Sequence, residues 1–401
     1  MTSTAVRSAG PGPLRHRGFR RLWASRMVSF TGDGAARTAL VLVTADRGST
    51  AVALVLLAST LPRLLGPVAG AIADTVDRRR LMLIAELGQA AAMAVLIVGV
   101  PPMWALVLVV VVASSFATIF GPASSSSVPA LVDADELPRA NALIGTAFNF
   151  QIALGPVLAG LLVGLGGVRL TFALDVATFV LSAVLLTGLP RLVADRAAGP
   201  AEPLWASTVA GLRYVRHAPG PRSLVIGVLV FVAFAGLDNV AIVFLVRSDL
   251  HGSATVFGLV QGCFGVGMLL ASVALSVRRR SGSASRLLVA GSATSVVGAL
   301  VTAGAPDLTL AGGAQALAGV GNGLENVAMS THVQRIVPAP MVGRVFGVVA
   351  TAAQVGSSIS YAAGGPLVAG IGARETFVIA GVGGIFGLAL FVASLRTKPI
   401  T

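Results

Sequence analysis

Met103-Trp104-Ala105-Leu106-Val107-Leu108-Val109-Val110-Val111-Val112-Ala113-Ser114-Ser115-Phe116-Ala117-Thr118-Ile119-Phe120-Gly121-Pro122 contains no ionisable side chain. A run of about 20 such residues, coiled as a helix, is long enough to cross the hydrocarbon core of a bilayer. Lipid offers no hydrogen bonds to an open backbone, so a run of this kind is expected as helix. Working outward in both directions, comparable runs fall at 22–45, 51–72, 81–100, 103–122, 140–166, 169–189, 223–246, 254–277, 286–305, 308–330, 344–371 and 374–395. The expectation is an all-α polytopic membrane protein with twelve transmembrane helices.

Composition points the same way. Charged residues make up 11% of the chain and hydrophobic residues 55%, against about 25% charged in soluble domains. The 48 glycines suit helices that approach closely where no hydrophobic force drives them together. A net charge of +13 could indicate nucleic acid, but the basic residues stand in short clusters beside apolar runs, which is a topological pattern. Cys263 is the only cysteine, so neither a disulfide framework nor a thiolate metal site can form, and it reads as a packed small side chain. His16, His217, His251 and His332 are scattered, with no Ser or Cys nucleophile arranged around them. No Gly-x-x-x-x-Gly-Lys-Ser/Thr phosphate loop is present. The chain is therefore not expected to be an enzyme or an ATP-driven pump, and no metal, cofactor or nucleic acid is expected with it.

The loops alternate in charge. Arg47, Arg169, Arg247 and Arg374 are the only basic residues between spans on one side, and all other loop arginines and Lys398 fall on the side of the termini. The positive-inside rule places that richer side, with both termini, in the cytoplasm; a bacterial inner membrane is the expected setting. The polar segment 1–21 leads directly into the first span without a cleavable signal. Residues 190–222 form the longest connection, where Leu204, Val209, Leu212 and Val215 share a face and predict an interfacial helix. This linker separates six spans at 22–189 from six at 223–395, leaving a cytoplasmic tail at 396–401.

The two halves echo each other. Gly155-Pro156-Val157-Leu158-Ala159-Gly160 matches Gly365-Pro366-Leu367-Val368-Ala369-Gly370, and the triplet Arg78-Arg79-Arg80 recurs as Arg278-Arg279-Arg280. Offsets of this size relate spans of like direction, as in a parallel repeat of two pseudo-symmetric six-helix bundles enclosing a cavity.

Between the second and third spans stands Gly70-Ala71-Ile72-Ala73-Asp74-Thr75-Val76-Asp77-Arg78-Arg79-Arg80. This stretch resembles a motif of the major facilitator superfamily, within it the bacterial twelve-helix exporters of drugs and natural products, the enterobactin and macrolide exporter type. Other stretches with the same resemblance are Phe19-Arg20-Arg21-Leu22-Trp23, Glu136-Leu137 with Ala140-Asn141-Ala142, and Gly343-Arg344-Val345-Phe346. The resemblance implies a cytoplasmic latch made by Gly70, Asp74, Asp77, Arg78, Arg79 and Arg80, to which Glu86 is added as a neighbour. It also implies an antiport-type kink at Gly155, Pro156 and Gly160. Thr75 stands where the family usually has a base, Ala274 replaces the acid of the second copy, and the fourth span lacks the basic residue of many proton-coupled drug exporters.

Ionisable residues inside spans are costly and usually face a cavity or a partner. Asp33 lies near the middle of the first span at 1.5 Å per residue, with Arg26 and Arg37 on its face. Asp33, Arg37 and Arg63 are the leading candidates for proton coupling or substrate contact, either as a switching site or as a standing Asp33–Arg37 ion pair. Asp238 and Glu325 come second. Asp175, placed at the outer end of its span, reads as structural. The polar groups Gln151, Gln261, Gln315 and Asn322 could line a pathway or bond helix to helix. The expected partners are a small-molecule substrate, protons and the lipid bilayer, with the protein monomeric. A proton-coupled exporter leads; an importer or uniporter on the same fold and a non-transporting membrane sensor are the alternatives.

Overall fold

A computed structural model of the chain describes residues 12–192, 204–277 and 283–395. Residues 193–203 of the linker, the second Arg triplet at 278–280 and the tail at 396–401 lie outside these residues, as does the side chain of Asp74. The described residues are almost wholly helical. Helix α1 spans Arg17–Ala45, α2 Ser49–Thr60, α3 Gly66–Thr75, α4 Arg78–Val98, α5 Met103–Ser127 and α6 Leu137–Thr187. They are followed by α7 Leu204–His217, α8 Pro219–Ala235, α9 Asp238–Phe244, α10 Ala254–Val277, α11 Ala284–Ala303, α12 Leu308–Ile336, α13 Val342–Ile371 and α14 Ala373–Leu395.

Among the described residues, nine helical segments are long and apolar enough to cross a membrane. α1, which carries Arg26, Asp33 and Arg37, and α12, which carries Gln315 and Glu325, are not in that group. α6 counts once, yet Gly167 interrupts it with φ +75°, a left-handed conformation that glycine adopts without strain. That break lies where the sequence separates the runs 140–166 and 169–189. The stretch expected as an interfacial helix is helical, as α7, with the side chains of 204–208 outside the described residues.

Two expected spans are discontinuous. The run 51–72 is divided by a 3-10 turn, Leu61–Leu65, because Pro62 has no N–H to continue the α-helical ladder. The run 223–246 is divided by a turn at Gly236-Leu237, between the end of α8 and the start of α9. Each break delivers a charged residue at mid-chain depth, Arg63 in the first turn and Asp238 at the head of α9.

Helix packing sorts into two neighbourhoods. α1 lies along α6, and α4 packs on α5 and α6; α8 packs on α13 and α14, and α12 on α10 and α11. The most extensive contacts that link the neighbourhoods run from α6 to α10 and from α2 to α13. Small residues make the first of these possible. A Cβ on Gly258 would meet the Pro156 carbonyl and lie 2.9 Å from the Gly160 Cα, and one on Gly265 would meet the Ala153 backbone. Such proximity gains dispersion contacts where lipid supplies no hydrophobic drive.

The apolar core is uneven along the helix axes. At the end away from the start of α1, one cluster joins both neighbourhoods, combining Val41, Val52 and Leu56 with Val240, Phe257 and Phe377. Ser49 Oγ there donates to the Gly365 carbonyl at 2.8 Å, and Arg247 pairs with Asp46 at 2.8 Å. At the end where α1 begins, the clusters around Phe19 and around Leu224 each draw on one neighbourhood alone. The two sets of helices therefore share apolar packing at one end and keep separate cores at the other.

Candidate functional site

The helix breaks and the glycines of α1 build the site. Gly32 and Gly34 flank Asp33 and let α1 settle onto both arms of α6. A Cβ on Gly32 would lie 2.9 Å from Asp175 Oδ1, and one on Gly34 would lie 3.0 Å from Gln151 Cγ and 3.2 Å from Gly155 Cα. Asp33 is thereby brought to Gln151, whose Nε2 donates to Asp33 Oδ2 at 2.5 Å.

Arg37, one turn further along α1, does not form the standing ion pair with Asp33. Its Nη2 reaches instead to the Tyr361 hydroxyl of α13 at 3.4 Å. Arg63 makes no hydrogen bond or ion pair among the described residues, and it feels Asp33 and Arg37 through longer-range Coulomb interaction. Asp33, Arg37 and Arg63 together line a recess of about 50 Å³.

Two larger lobes lie beyond this recess, the first of which shares Arg37 and Arg63 with it. One, of about 240 Å³, is lined by Arg37, Arg63, Gln151, Phe148 and Phe257. The other, also about 240 Å³, is lined by Asp238, Glu325, Gln315, Asn322, Phe231 and Tyr361. Asn239, Gln261 and Phe264 border both, so the two lobes adjoin as one chamber; the first lies between the helix neighbourhoods, while the second is lined by α8–α14 alone. Gln315 Nε2 donates weakly to Asp238 Oδ1 at 3.4 Å. Glu325 Oε1 and Gln315 Oε1 are buried without a partner. The chamber thus offers aromatic surface with a few charged groups, the usual make-up of a small-molecule site.

Other candidates lie elsewhere. Arg26 does not join Asp33; its Nε donates to Ser124 Oγ at 2.6 Å, and the guanidinium lies 5.4 Å from the Phe30 ring centre and 5.8 Å from that of Phe120. Glu86 is not part of the latch. It lies two turns inside α4, fully buried, and accepts from Ser29 Oγ at 3.2 Å. Asp175 is not at a helix end: it packs against Gly32 at the level of Asp33, 1% exposed, with neither carboxyl oxygen partnered.

The residues of the resemblance to a latch have a local arrangement. Asp77 caps α4, accepting from the Arg79 N–H at 3.0 Å and the Leu192 N–H at 3.1 Å. Arg78 Nη1 donates to the Ser126 carbonyl at 2.9 Å and Arg79 Nη2 to the Thr187 carbonyl at 2.5 Å, tying α4 to the ends of α5 and α6. Gly70 has open space around it. Gly155 meets Gly34 of α1 and Gly160 meets Gly258 of α10, with Pro156 between them inside α6. His16, Asp133 and Glu136 converge near the start of α1, where Arg15 pairs with Asp133 at 2.6 Å and with Glu136 at 3.5 Å.

Sequence reasoning passed over Tyr361 and the phenylalanines of the chamber. Tyr361 carried a signal, since it is one of only two tyrosines and stands inside an apolar run. The phenylalanines carried none, because apolar side chains toward lipid and toward a cavity look alike in sequence.

The family described as transmembrane secretion effector matches residues 8–399. An uncharacterised MFS-type transporter of Bacillus subtilis, YfiS, is 31% identical over 382 residues, covering 91% of this chain and 90% of the relative. The multidrug efflux pump Tap of Mycolicibacterium fortuitum is 28% identical, covering 86% of this chain and 89% of the pump. Among solved structures, a bacterial homologue of the human lysosomal transporter Spinster, inward-facing and unoccupied, aligns with a TM-score of 0.75 at 15% identity. That alignment covers 98% of this chain and the whole of the other, and it shows a shared fold.

Proposed function

The chain belongs to the major facilitator superfamily, in its transmembrane secretion effector family, and on that premise we propose that it is a secondary-active exporter. It moves a small apolar or amphiphilic compound outward in exchange for protons, by alternating access. The architecture behind this reading is two six-helix bundles, 22–189 and 223–395, with twelve spans once α1, α12 and the two arms of α6 are counted. Both termini are cytoplasmic in this reading, and the membrane is the bacterial inner one.

One observation carries the proposal: a cavity lined by Arg37 and Arg63 lies between helix sets whose apolar cores merge at one end only, and a second cavity with Asp238 and Glu325 adjoins it. With the termini in the cytoplasm, the merged end is the outer one, and the state is inward-facing. Export then requires the cores to separate outside and close inside. Asp33, held by Gln151 beside two arginines, is the leading proton carrier, with Asp238 and Glu325 in the second lobe. Each charge moved through 100 mV supplies about 2.3 kcal/mol, close to fiftyfold in concentration.

The test is proton-gradient-driven uptake of dyes and antibiotics into inverted vesicles, comparing the native protein with Asp33→Asn. Uptake lost in the variant with binding retained supports antiport through Asp33. Equal uptake in both removes Asp33 as the carrier. No uptake by the native protein removes the exporter reading and leaves import or sensing.

A further inference from the structure

The chamber is electrically polarised from one wall to the other. Arg37 and Arg63 line one lobe, while Asp238 and Glu325 line the other, and among the described residues no cation lines that second lobe. The two walls do not neutralise each other. Arg63 has no hydrogen-bond or ion-pair partner among the described residues, and Glu325 Oε1 and Gln315 Oε1 have no donor. Asp33, in the adjoining recess, offsets one of the two guanidinium charges; unpaired charged and polar groups away from water are costly, so each wall still calls for a counter-group.

From this geometry we infer that the chamber is built for a zwitterionic amphiphile. An anionic group of the compound meets Arg63 and Arg37, a cationic group meets Glu325 and Asp238, and an apolar body lies across Phe264, which borders both lobes. A singly charged compound would satisfy one wall and leave the other unpaired. Two adjoining lobes of about 240 Å³ each leave room for one charged group apiece with an aromatic body between them. The inference deepens the exporter reading and rests on it only in taking the chamber as the substrate site.

Three fluorescent probes with one body separate the charges: Nα-dansyl-lysine carries both, dansylcadaverine only the ammonium, and Nα-dansyl-norleucine only the carboxylate. Each is titrated into the purified full-length protein in lipid nanodiscs, without any ion gradient. The expected result is binding of dansyl-lysine at least about tenfold tighter than either singly charged probe, a difference of about 1.4 kcal/mol. In Arg63→Gln, dansyl-lysine falls to the affinity of dansylcadaverine, which is itself unchanged. In the double variant Asp238→Asn/Glu325→Gln it falls to that of dansyl-norleucine. The comparison of probes on the native protein needs no variant to fold. Equal affinity for the three probes, preference for a singly charged one, or no binding of any overturns the inference. Binding of the zwitterion without proton-driven flux would keep it and sink the exporter reading; flux of all three probes alike would do the reverse.

Discussion

Gln151 on α6 holds Asp33 on α1 by a 2.5 Å hydrogen bond, and Asp33 is not in direct contact with either of its two nearest arginines. The acid at the middle of α1 is thus oriented by a neutral amide, which leaves Arg37 free to reach another helix. Replacing Gln151 with Met removes the donor while keeping the volume. Loss of a partner for a buried polar group costs about 1–3 kcal/mol, so a lower midpoint of thermal unfolding is expected. In the Asp33→Asn background the cost of Gln151→Met should shrink, a coupling that a double-mutant cycle reads directly. Additive losses would show that the two side chains do not support each other.

The Arg37–Tyr361 contact spans the two helix neighbourhoods, from α1 to α13. Tyr361→Phe keeps the ring and deletes the hydroxyl. Fold stability should change by less than about 1 kcal/mol, since a 3.4 Å bond is weak. The populations of the two access states should shift. With Cys263→Ala and a reporter cysteine at Ser49, labelling by a membrane-impermeant maleimide is expected to rise in Tyr361→Phe; an unchanged labelling rate would remove this contact from the gating machinery.

Gly365 of α13 seats against α2, where a Cβ would lie 2.8 Å from the Ala53 Cβ and 3.0 Å from the Thr50 Cα. Gly365→Val should therefore wedge the merged end apart, raise labelling at that end and abolish flux. By contrast, Asp46→Asn at the same end breaks a pair whose side chains are 67% and 35% exposed, and such surface pairs are worth about 0–1 kcal/mol. It is expected to leave both readouts nearly unchanged. If the charge substitution opened the end and the valine did not, packing would not be what closes it.

Where α6 meets α10, Gly258→Val puts a branched side chain against the Pro156 carbonyl and the Gly160 Cα. Overpacking of this kind costs about 1–3 kcal/mol. A reduced unfolding midpoint with retained helical circular dichroism is the expected outcome, and Cys263→Ala, outside these close contacts, serves as the comparison.

Asp175 is buried against Gly32 with both carboxyl oxygens unpartnered. Removing a carboxyl held at such a cost should stabilise the fold, so Asp175→Asn is expected to unfold at a higher temperature than the native protein. A lower midpoint would show that the carboxyl has a stabilising partner in the membrane.

The reading of the sequence and the folded chain agree where a single helix decides the matter, and diverge where neighbours do. The length and apolarity of a run such as 103–122 require a helix in lipid, and the gap between the runs 140–166 and 169–189 falls at Gly167, whereas the run 51–72, read as continuous, is broken at Pro62. The presence of Asp33, Arg63, Asp238 and Glu325 inside apolar runs was visible for the same reason, since a charge in such a run is costly wherever it points. Pairing was not visible. Asp33 and Arg37 are one turn apart and read either as a switching site or as a standing ion pair, yet the flanking glycines bring Gln151 to the acid, and Tyr361, remote in sequence, takes the arginine. Glu86 stood near a basic cluster in the chain but is turned inward to Ser29. Apolar runs of spanning length with charges inside them already require a helical membrane protein that carries ionisable groups within its spans. Which of these charges line the chamber, and on which wall, follows from the packing of the folded chain, because helices meet through side-chain shape and backbone proximity at positions far apart in the chain.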